Sequence, residues 1–163
     1  MAWNLYGSVC ARYTPGQRTL ARQSQGDSEM TSIGEIGSVG EENAAKLVRA
    51  GVPTVEVLLR MGGSSSGRKA IADSTGIQAS RILAWVNRAD LMRVHGVGAD
   101  YAELLGRSGV DSVKELAMRR PENLHARLIQ VNAAESLVRR EPTQAEVAKW
   151  IAESRTLRGA VTH

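Results

Sequence analysis

The sequence has no phenylalanine and a single cysteine, and aromatic residues make up only 4% of its 163 positions. Aliphatic side chains must therefore fill any core. Because Cys10 has no second cysteine to pair with, the chain cannot form an internal disulfide and does not need an oxidising compartment. We expect a cytoplasmic protein.

Long hydrophobic runs are also missing. No apolar stretch reaches the roughly 18 to 20 residues that cross a bilayer. Residues 1–25 lack the continuous apolar segment of a secretory signal. These absences argue against a membrane-spanning chain and against export by that route, so no membrane partner is expected.

The excess of one charge sign is small. The chain has 21 basic and 17 acidic residues, which give a net charge of +4 and a pI near 9.6. This mild basic bias favours an acidic partner but is far below the charge density of an arm dedicated to nucleic acid. With 42% hydrophobic and 23% charged residues, the composition is that of a folded globular protein.

Residues 1–29 differ from the rest of the chain. They show no sustained apolar period and are rich in Gly, Ser, Gln and Arg, which predicts a flexible leader. Two alternatives stand beside this prediction. One is an organelle transit peptide, because the first 25 residues are basic and contain no acid. The other is that the segment is not part of the native protein and that Met30 is the natural start.

From Met30 onward the sequence repeats itself. Residues 36–58 match residues 94–116 at a constant offset of 58 positions, and residues 82–86 match residues 147–151 at an offset of 65. A repeat of this kind says more about the architecture than any single element does.

The apolar period and the glycine positions predict helices over residues 41–50, 55–61, 66–74, 79–92, 99–108, 112–118, 121–131 and 144–155. Thr143 with Glu146 three residues later forms a capping box, and Asp111 is a candidate N-cap. No segment alternates with period two for long enough to be a strand, so the predicted fold class is all-α. Together with the repeat, this pattern predicts a first unit, 30–92, a second unit, 93–157, and a tail, 158–163.

A glycine-containing turn precedes one predicted helix in each unit. Residues 91–105 read LMRVHGVGADYAELL, which resembles a helix-hairpin-helix motif: a Gly-apolar-Gly turn, then Ala and Leu at helical spacing. A related pattern recurs over residues 36–47. The glycines suit a turn that needs positive φ or a close backbone approach. The resemblance implies two helix-hairpin-helix-like repeats packed as one compact helical domain.

Residues 30–157 as a whole resemble a bacterial family of domains of unknown function, number 4332, whose members are similar to paired helix-hairpin-helix units. The stretches ILAWVNRADL at 82–91 and RPENLH at 120–125 carry this resemblance. It implies the fold and its extent, but it implies neither an activity nor a catalytic residue.

In DNA-binding relatives of the hairpin, backbone N–H groups and the start of the second helix hold a phosphate. The predicted nucleic-acid contacts in this chain are Arg93, His95, Gly96, Gly98, Arg119, Arg120, Gly37 and Gly40. Such relatives tend to carry Lys or Arg just after the second glycine, whereas this sequence has Ala99-Asp100 and Glu41-Glu42. These carboxylates favour a protein partner, although an acid in a first helical turn also stabilises the helix by roughly 0.3 to 1 kcal/mol.

The other candidate residues have structural interpretations that compete with functional ones. Trp85 and Trp150 occupy matching positions on apolar faces, which predicts core packing and not base stacking. His95 is either a phosphate neighbour or a solvated loop residue. The arginines of the second unit form either a surface that tracks phosphates or a solvated face with local ion pairs: Arg88, Arg93, Arg107, Arg119, Arg120, Arg127, Arg139 and Arg140.

Catalytic and cofactor chemistry finds little support in the sequence. The stretch 62–69 has small residues before a Lys but lacks the preceding strand and the spacing of a Walker motif, so a flexible interhelical loop is favoured. His125 and His163 have no metal-ligating residue at suitable spacing. No Ser, His and carboxylate triad is recognisable. We expect no enzyme activity, no cofactor, no metal and no small-molecule substrate.

The sequence therefore predicts a non-enzymatic tandem helix-hairpin-helix module that binds double-stranded nucleic acid weakly and without sequence preference. The alternative is a protein-interaction or assembly module that kept the hairpin scaffold and lost phosphate binding.

Overall fold

The computed structural model describes residues 30–162, and the predictions for residues 1–29 and His163 lie outside that range. The described chain begins with a short 3₁₀ turn, Ile33–Glu35, and then forms eight α-helices. They are α1 (Gly40–Arg49), α2 (Val55–Gly62), α3 (Ser65–Thr75), α4 (Ala79–Leu91), α5 (Ala99–Arg107), α6 (Val113–Ala117), α7 (Pro121–Glu135) and α8 (Gln144–Ser154). No strand occurs in this part of the chain, so the all-α fold class is confirmed.

Most helices end close to the predicted residues, and two details differ. The N-cap of α6 is Ser112 and not Asp111, because the Ser112 hydroxyl accepts a hydrogen bond from the Glu115 N–H at 3.2 Å. Helix α7 continues four residues beyond the predicted end, through two alanines that favour helix, and stops at Ser136 in a left-handed conformation with φ of 51°.

The predicted capping box at the start of α8 is confirmed. The Thr143 hydroxyl accepts from the Glu146 N–H at 3.2 Å, and the Glu146 carboxylate accepts from the Thr143 N–H at 2.8 Å. Two backbone donors that would otherwise lack partners are satisfied reciprocally. The final helix therefore begins at the residue that the sequence pattern indicates.

The stretch 62–69 does not form the flexible loop that the sequence suggested. Helix α2 ends at Gly62 and α3 begins at Ser65. Ser64 caps α3 by accepting from the Gly67 N–H at 3.1 Å, and Lys69 pairs with Asp73 one turn later at 2.9 Å. A hydroxyl that can cap a helix converts most of this Gly- and Ser-rich segment into the first turns of α3.

The described chain contains two clusters of buried apolar side chains. One cluster draws on residues between 33 and 89, and the other on residues between 91 and 151. Helix α4 packs against α2, α3 and α5, and Met92 at its end contacts both clusters. The two halves are therefore joined through α4 into one compact body.

Positions that match in the sequence repeat are buried alike. Leu58 and Leu116 both have no exposed surface, and Trp85 and Trp150 are 3% and 4% exposed. The predicted core role of the two tryptophans is confirmed.

The turns after α1 and α5 also match. Gly51 and Gly109, 58 positions apart, have φ of 84° and 85°. In each turn the N–H of the following valine donates back to a leucine carbonyl: Val52 to Leu47 at 2.8 Å and Val110 to Leu105 at 3.0 Å. The glycines are required because other L-residues adopt this left-handed conformation only at a cost.

The segment expected to be a tail packs against the first half of the chain. The buried guanidinium of Arg68 donates to the Gly63 carbonyl at 3.0 Å and to the Thr162 carbonyl at 2.7 Å. The Thr162 N–H donates to Gly63 at 2.9 Å, and Val161 contacts the first apolar cluster. The end of the described chain thus connects the second half back to the junction of α2 and α3.

Candidate binding surfaces

The turn between α4 and α5, which we call the second hairpin, places its two glycines differently. Gly96 has φ of 85°, and a Cβ there would lie 3.3 Å from the indole nitrogen of Trp150. Gly98 is extended, with φ of −83°, and precedes α5 without a side-chain cap. Val97 between them is buried. Both Gly96 and Gly98 are exposed, so the backbone of this turn reaches the surface.

The first hairpin, residues 36–40, does not copy the second in detail. Here the left-handed residue is Gly40, with φ of 72°, whereas the position that aligns with Gly96 is Ser38. Gly37 is exposed, and a Cβ on it would meet nothing within 4 Å. The repeat therefore preserves the buried valine of the turn but not the position of the positive φ angle.

Arg93, a predicted phosphate contact, is held by other parts of the chain. Its Nη1 atom lies 2.8 Å from Oδ1 of the fully buried Asp90 and donates to the Arg158 carbonyl at 2.9 Å. The second carboxylate oxygen of Asp90 accepts from the Val113 N–H at 2.9 Å. Arg93 thus neutralises a buried carboxylate that joins the end of α4 to the start of α6.

A carboxylate also occupies one backbone donor of the second hairpin. The His95 N–H donates to Oε1 of Glu153, on α8, at 3.1 Å. The His95 residue is exposed. An anion that approached this N–H would have to displace Glu153, whose negative charge it would also meet.

The predicted hairpin residues of the two halves meet at one groove. A cleft of about 620 Å³ is lined by the second hairpin, by Glu35 and by the loop 136–140. An adjoining hollow of about 270 Å³ shares Ala99, Asp100 and Leu137 with it and extends to the first hairpin at 36–38. We call the two together the hairpin groove.

Charge along the hairpin groove is mixed. Glu35 and Asp100 lie in it, facing the groove from both halves. Arg140 also lines it, but its guanidinium is paired with Glu146 at 2.6 Å. That hydrogen bond, together with the Thr143 N–H, lowers the pKa of Glu146 to about 2. The groove is therefore not a positively charged channel.

The arginines of the second half fall into two groups. Four are paired with carboxylates: Arg88 with Glu103 at 2.9 Å, Arg93 with Asp90 at 2.8 Å, Arg107 with Glu103 at 3.4 Å and Arg140 with Glu146 at 2.6 Å. The hydrogen bond from Arg88, with help from Arg107, lowers the pKa of Glu103. Within residues 30–162 the other four form no ion pair: Arg119, Arg120, Arg127 and Arg139.

The predicted site residues thus lie in two places. Gly37, Gly96 and Gly98 line the hairpin groove, whereas Arg119 and Arg120 line a separate hollow beside the start of α7. Arg127, which lies on the same wall as Arg120, was not singled out as a contact. Its spacing of seven residues from Arg120, two turns of one helix, is the signal that would have found it.

Glu153 was missed for a different reason. It lies 58 residues from His95, and no local pattern links a surface glutamate to a distant backbone N–H. Among residues 30–162 no group of three or more His, Cys, Asp or Glu side chains is arranged to hold a metal ion.

The fold and these surfaces define a compact all-helical domain that presents a hairpin groove and a basic hollow. The family described as "Domain of unknown function (DUF4332)" matches residues 37–157. The chain belongs to this family. No curated protein and no solved structure matches the chain. In the described part of the chain, no helix combines the length and the apolar character needed to cross a membrane.

Proposed function

We propose that this chain is a non-enzymatic tandem helix-hairpin-helix module that binds double-stranded nucleic acid weakly and without sequence preference. The observation that carries the proposal is the unequal neutralisation of the second-half arginines. Four are paired with carboxylates, while Arg119, Arg120 and Arg127 gather at one hollow without one. Unpaired arginines at the surface are the groups that contact phosphates.

The tandem arrangement of units 30–92 and 93–157 is supported by the matched features of the two halves. These are the left-handed glycines Gly51 and Gly109, the buried Trp85 and Trp150 and a separate apolar cluster in each half. Weak binding follows from the small number of unpaired cations, because each phosphate contact contributes a limited share of affinity. A cytoplasmic location stays a prediction.

Fluorescence anisotropy of labelled duplexes tests this function. Two duplexes of equal length and scrambled sequence are titrated at several salt concentrations. We expect similar affinities for both duplexes and a loss of affinity as salt rises, because binding releases counterions from the phosphates. Undetectable binding at low salt, where such contacts are strongest, would overturn the proposal.

A second candidate function is a protein-interaction or assembly module. The specific observation in its favour is the hairpin groove, where Glu153 occupies the His95 N–H and Asp100 faces the same region. The half-buried Leu137 contributes apolar surface to both parts of this groove. Under this function a protein captured by the chain is retained after nuclease treatment and lost with Leu137→Asp. Retention by that variant would argue against the groove.

A further inference from the structure

A small hollow lies where α6 ends and α7 begins. Its volume is about 250 Å³, and its lining consists of Ser108, Met118, Arg119, Arg120, Asn123, Leu124 and Arg127. Three of the seven side chains are cationic, and none is a carboxylate. Drug-sized ligands occupy larger pockets, of roughly 300 to 1,000 Å³, so the hollow suits a small anion.

The absence of carboxylates here contrasts with the rest of the second half. The guanidiniums of Arg88, Arg93, Arg107 and Arg140 each lie within 4 Å of an Asp or Glu oxygen. Three cations that share one hollow without such a partner repel one another, and a bound anion removes this repulsion.

Two of the three guanidiniums are positioned by the protein. Arg119 donates from Nη2 to the Gly109 carbonyl at 2.7 Å, and Arg127 donates from Nη1 to Gln130 Oε1 at 3.0 Å. Each guanidinium has five N–H donors, so one bond orients it and leaves others for a ligand. Positioning before binding lowers the entropy that a ligand contact must offset.

The charge of the hollow is not a consequence of the repeat. At the offset of 58, the positions that align with Arg119 and Arg120 are Met61 and Gly62. The first half therefore carries an apolar and a small residue where the second half carries two arginines. The repeat needs neither arginine for packing, because both are exposed.

We infer that the hollow lined by Arg119, Arg120 and Arg127 is a phosphate-binding site that holds a backbone phosphate of duplex nucleic acid. The inference rests on the proposed function. It moves the phosphate contact away from the second hairpin, where Glu153 holds the His95 N–H. It also leaves the hairpin groove free to serve a different partner.

The first test uses the double variant Arg120→Gln, Arg127→Gln in the full chain. Arg119 is kept because it bonds the Gly109 carbonyl. Arg139→Gln is the matched control, since Arg139 is exposed, lies in the same half and has no ion pair within residues 30–162. Circular dichroism melts establish that each variant folds.

Anisotropy with a random-sequence duplex is measured across a range of salt concentrations. We expect the double variant to lower the slope of log K against log salt by about two units, or roughly 0.9 for each lost contact, and to weaken binding at least about tenfold at low salt. The control should keep the wild-type slope. Equal losses per charge in the control and the double variant would overturn the site, because binding would then be spread over the surface.

The second test titrates inorganic phosphate into the ¹⁵N-labelled chain and follows backbone amide shifts. We expect shifts centred on residues 118–127 that vanish in the double variant. Shifts centred on residues 95–100 would overturn the inference. A chain that binds duplex without shifts at the hollow would refute the site and leave the proposed function standing. Localised phosphate shifts in a chain that binds no duplex would support the anion site and refute the proposed function.

Discussion

The carboxylate of Asp90 has no exposed surface, yet it pairs with Arg93 at 2.8 Å and accepts a second hydrogen bond from the α6 backbone. Removing it leaves Arg93 without its carboxylate and the Val113 N–H without an acceptor. We expect Asp90→Ala to lower the free energy of unfolding by about 3 kcal/mol, measured by urea denaturation. The control is Asp73→Ala, which removes an exposed pair with Lys69 and should cost under about 1 kcal/mol.

The paired glycines of the interhelical turns provide a second stability test. Because Gly51 and Gly109 have the same left-handed φ and nothing lies within 4 Å of a Cβ at either one, the cost of alanine is conformational. We expect about 1 to 2 kcal/mol for each substitution by alanine.

Gly37 is the control for this comparison. It also has open space around a Cβ, but its φ is not in the left-handed region. Alanine at position 37 should therefore be neutral or stabilising by a few tenths of a kcal/mol, because it restricts the unfolded chain. A loss at Gly37 as large as at Gly51 would show that backbone conformation does not explain the repeat.

The two buried tryptophans should contribute comparably to stability. We expect Trp85→Ala and Trp150→Ala each to lower the free energy of unfolding by about 3 to 5 kcal/mol, because a large buried side chain is lost and a cavity remains. Chemical denaturation followed by circular dichroism measures both. Full stability with lost duplex binding in either variant would identify that tryptophan as a contact residue.

The ion pair at the start of α8 gives a pH dependence of known sign. The hydrogen bonds of Arg140 and Thr143 hold the pKa of Glu146 at about 2 in the folded chain, below its ordinary value of 4.5. A depressed folded pKa contributes stability that is fully present above about pH 4.5 and is lost as the pH falls toward 2.

We therefore expect the stability difference between the wild type and Glu146→Gln to shrink as the pH falls from 4.5 to 2. Urea denaturation at several pH values measures this difference, and comparison of the two proteins removes the contribution of other carboxylates. A difference that stays constant over this range would show that Glu146 is not held in its charged form by Arg140.

The helices were predictable because their signals are local. Gly51 and Gly109 end helices in the sequence as they do in the structure, and Thr143 with Glu146 begins one. The matched burial of Trp85 and Trp150 follows from period and repeat alone.

Polar contacts between distant segments were not predictable in this way. The bond from Arg68 to the Thr162 carbonyl joins residues 94 positions apart, and the bond from the His95 N–H to Glu153 joins residues 58 apart. Neither has a periodic signature. The sequence shows that an arginine is present, whereas its carboxylate partner depends on packing, which is why paired Arg93 and unpaired Arg120 look alike in the sequence.

Asp100 offers the sharpest test of whether the second hairpin holds a phosphate. It is exposed in the first turn of α5, where a positive charge would face any anion bound by the turn. Because Glu153 already occupies the His95 N–H, we expect Asp100→Lys to leave the salt dependence of duplex binding unchanged. The fold should tolerate the substitution, since position 100 contributes no side chain to the apolar clusters of the described residues.

The control for this variant is Asp73→Lys, which makes the same charge change at an exposed position of α3. Both variants raise the net charge by two, so a general electrostatic gain in affinity should be equal in the two. Anisotropy titrations at several salt concentrations compare them with the wild type. If Asp100→Lys alone strengthened binding and steepened the salt slope by roughly one unit, the hairpin would hold a phosphate despite Glu153. The contact inferred for the arginine hollow would then have to share the duplex with it.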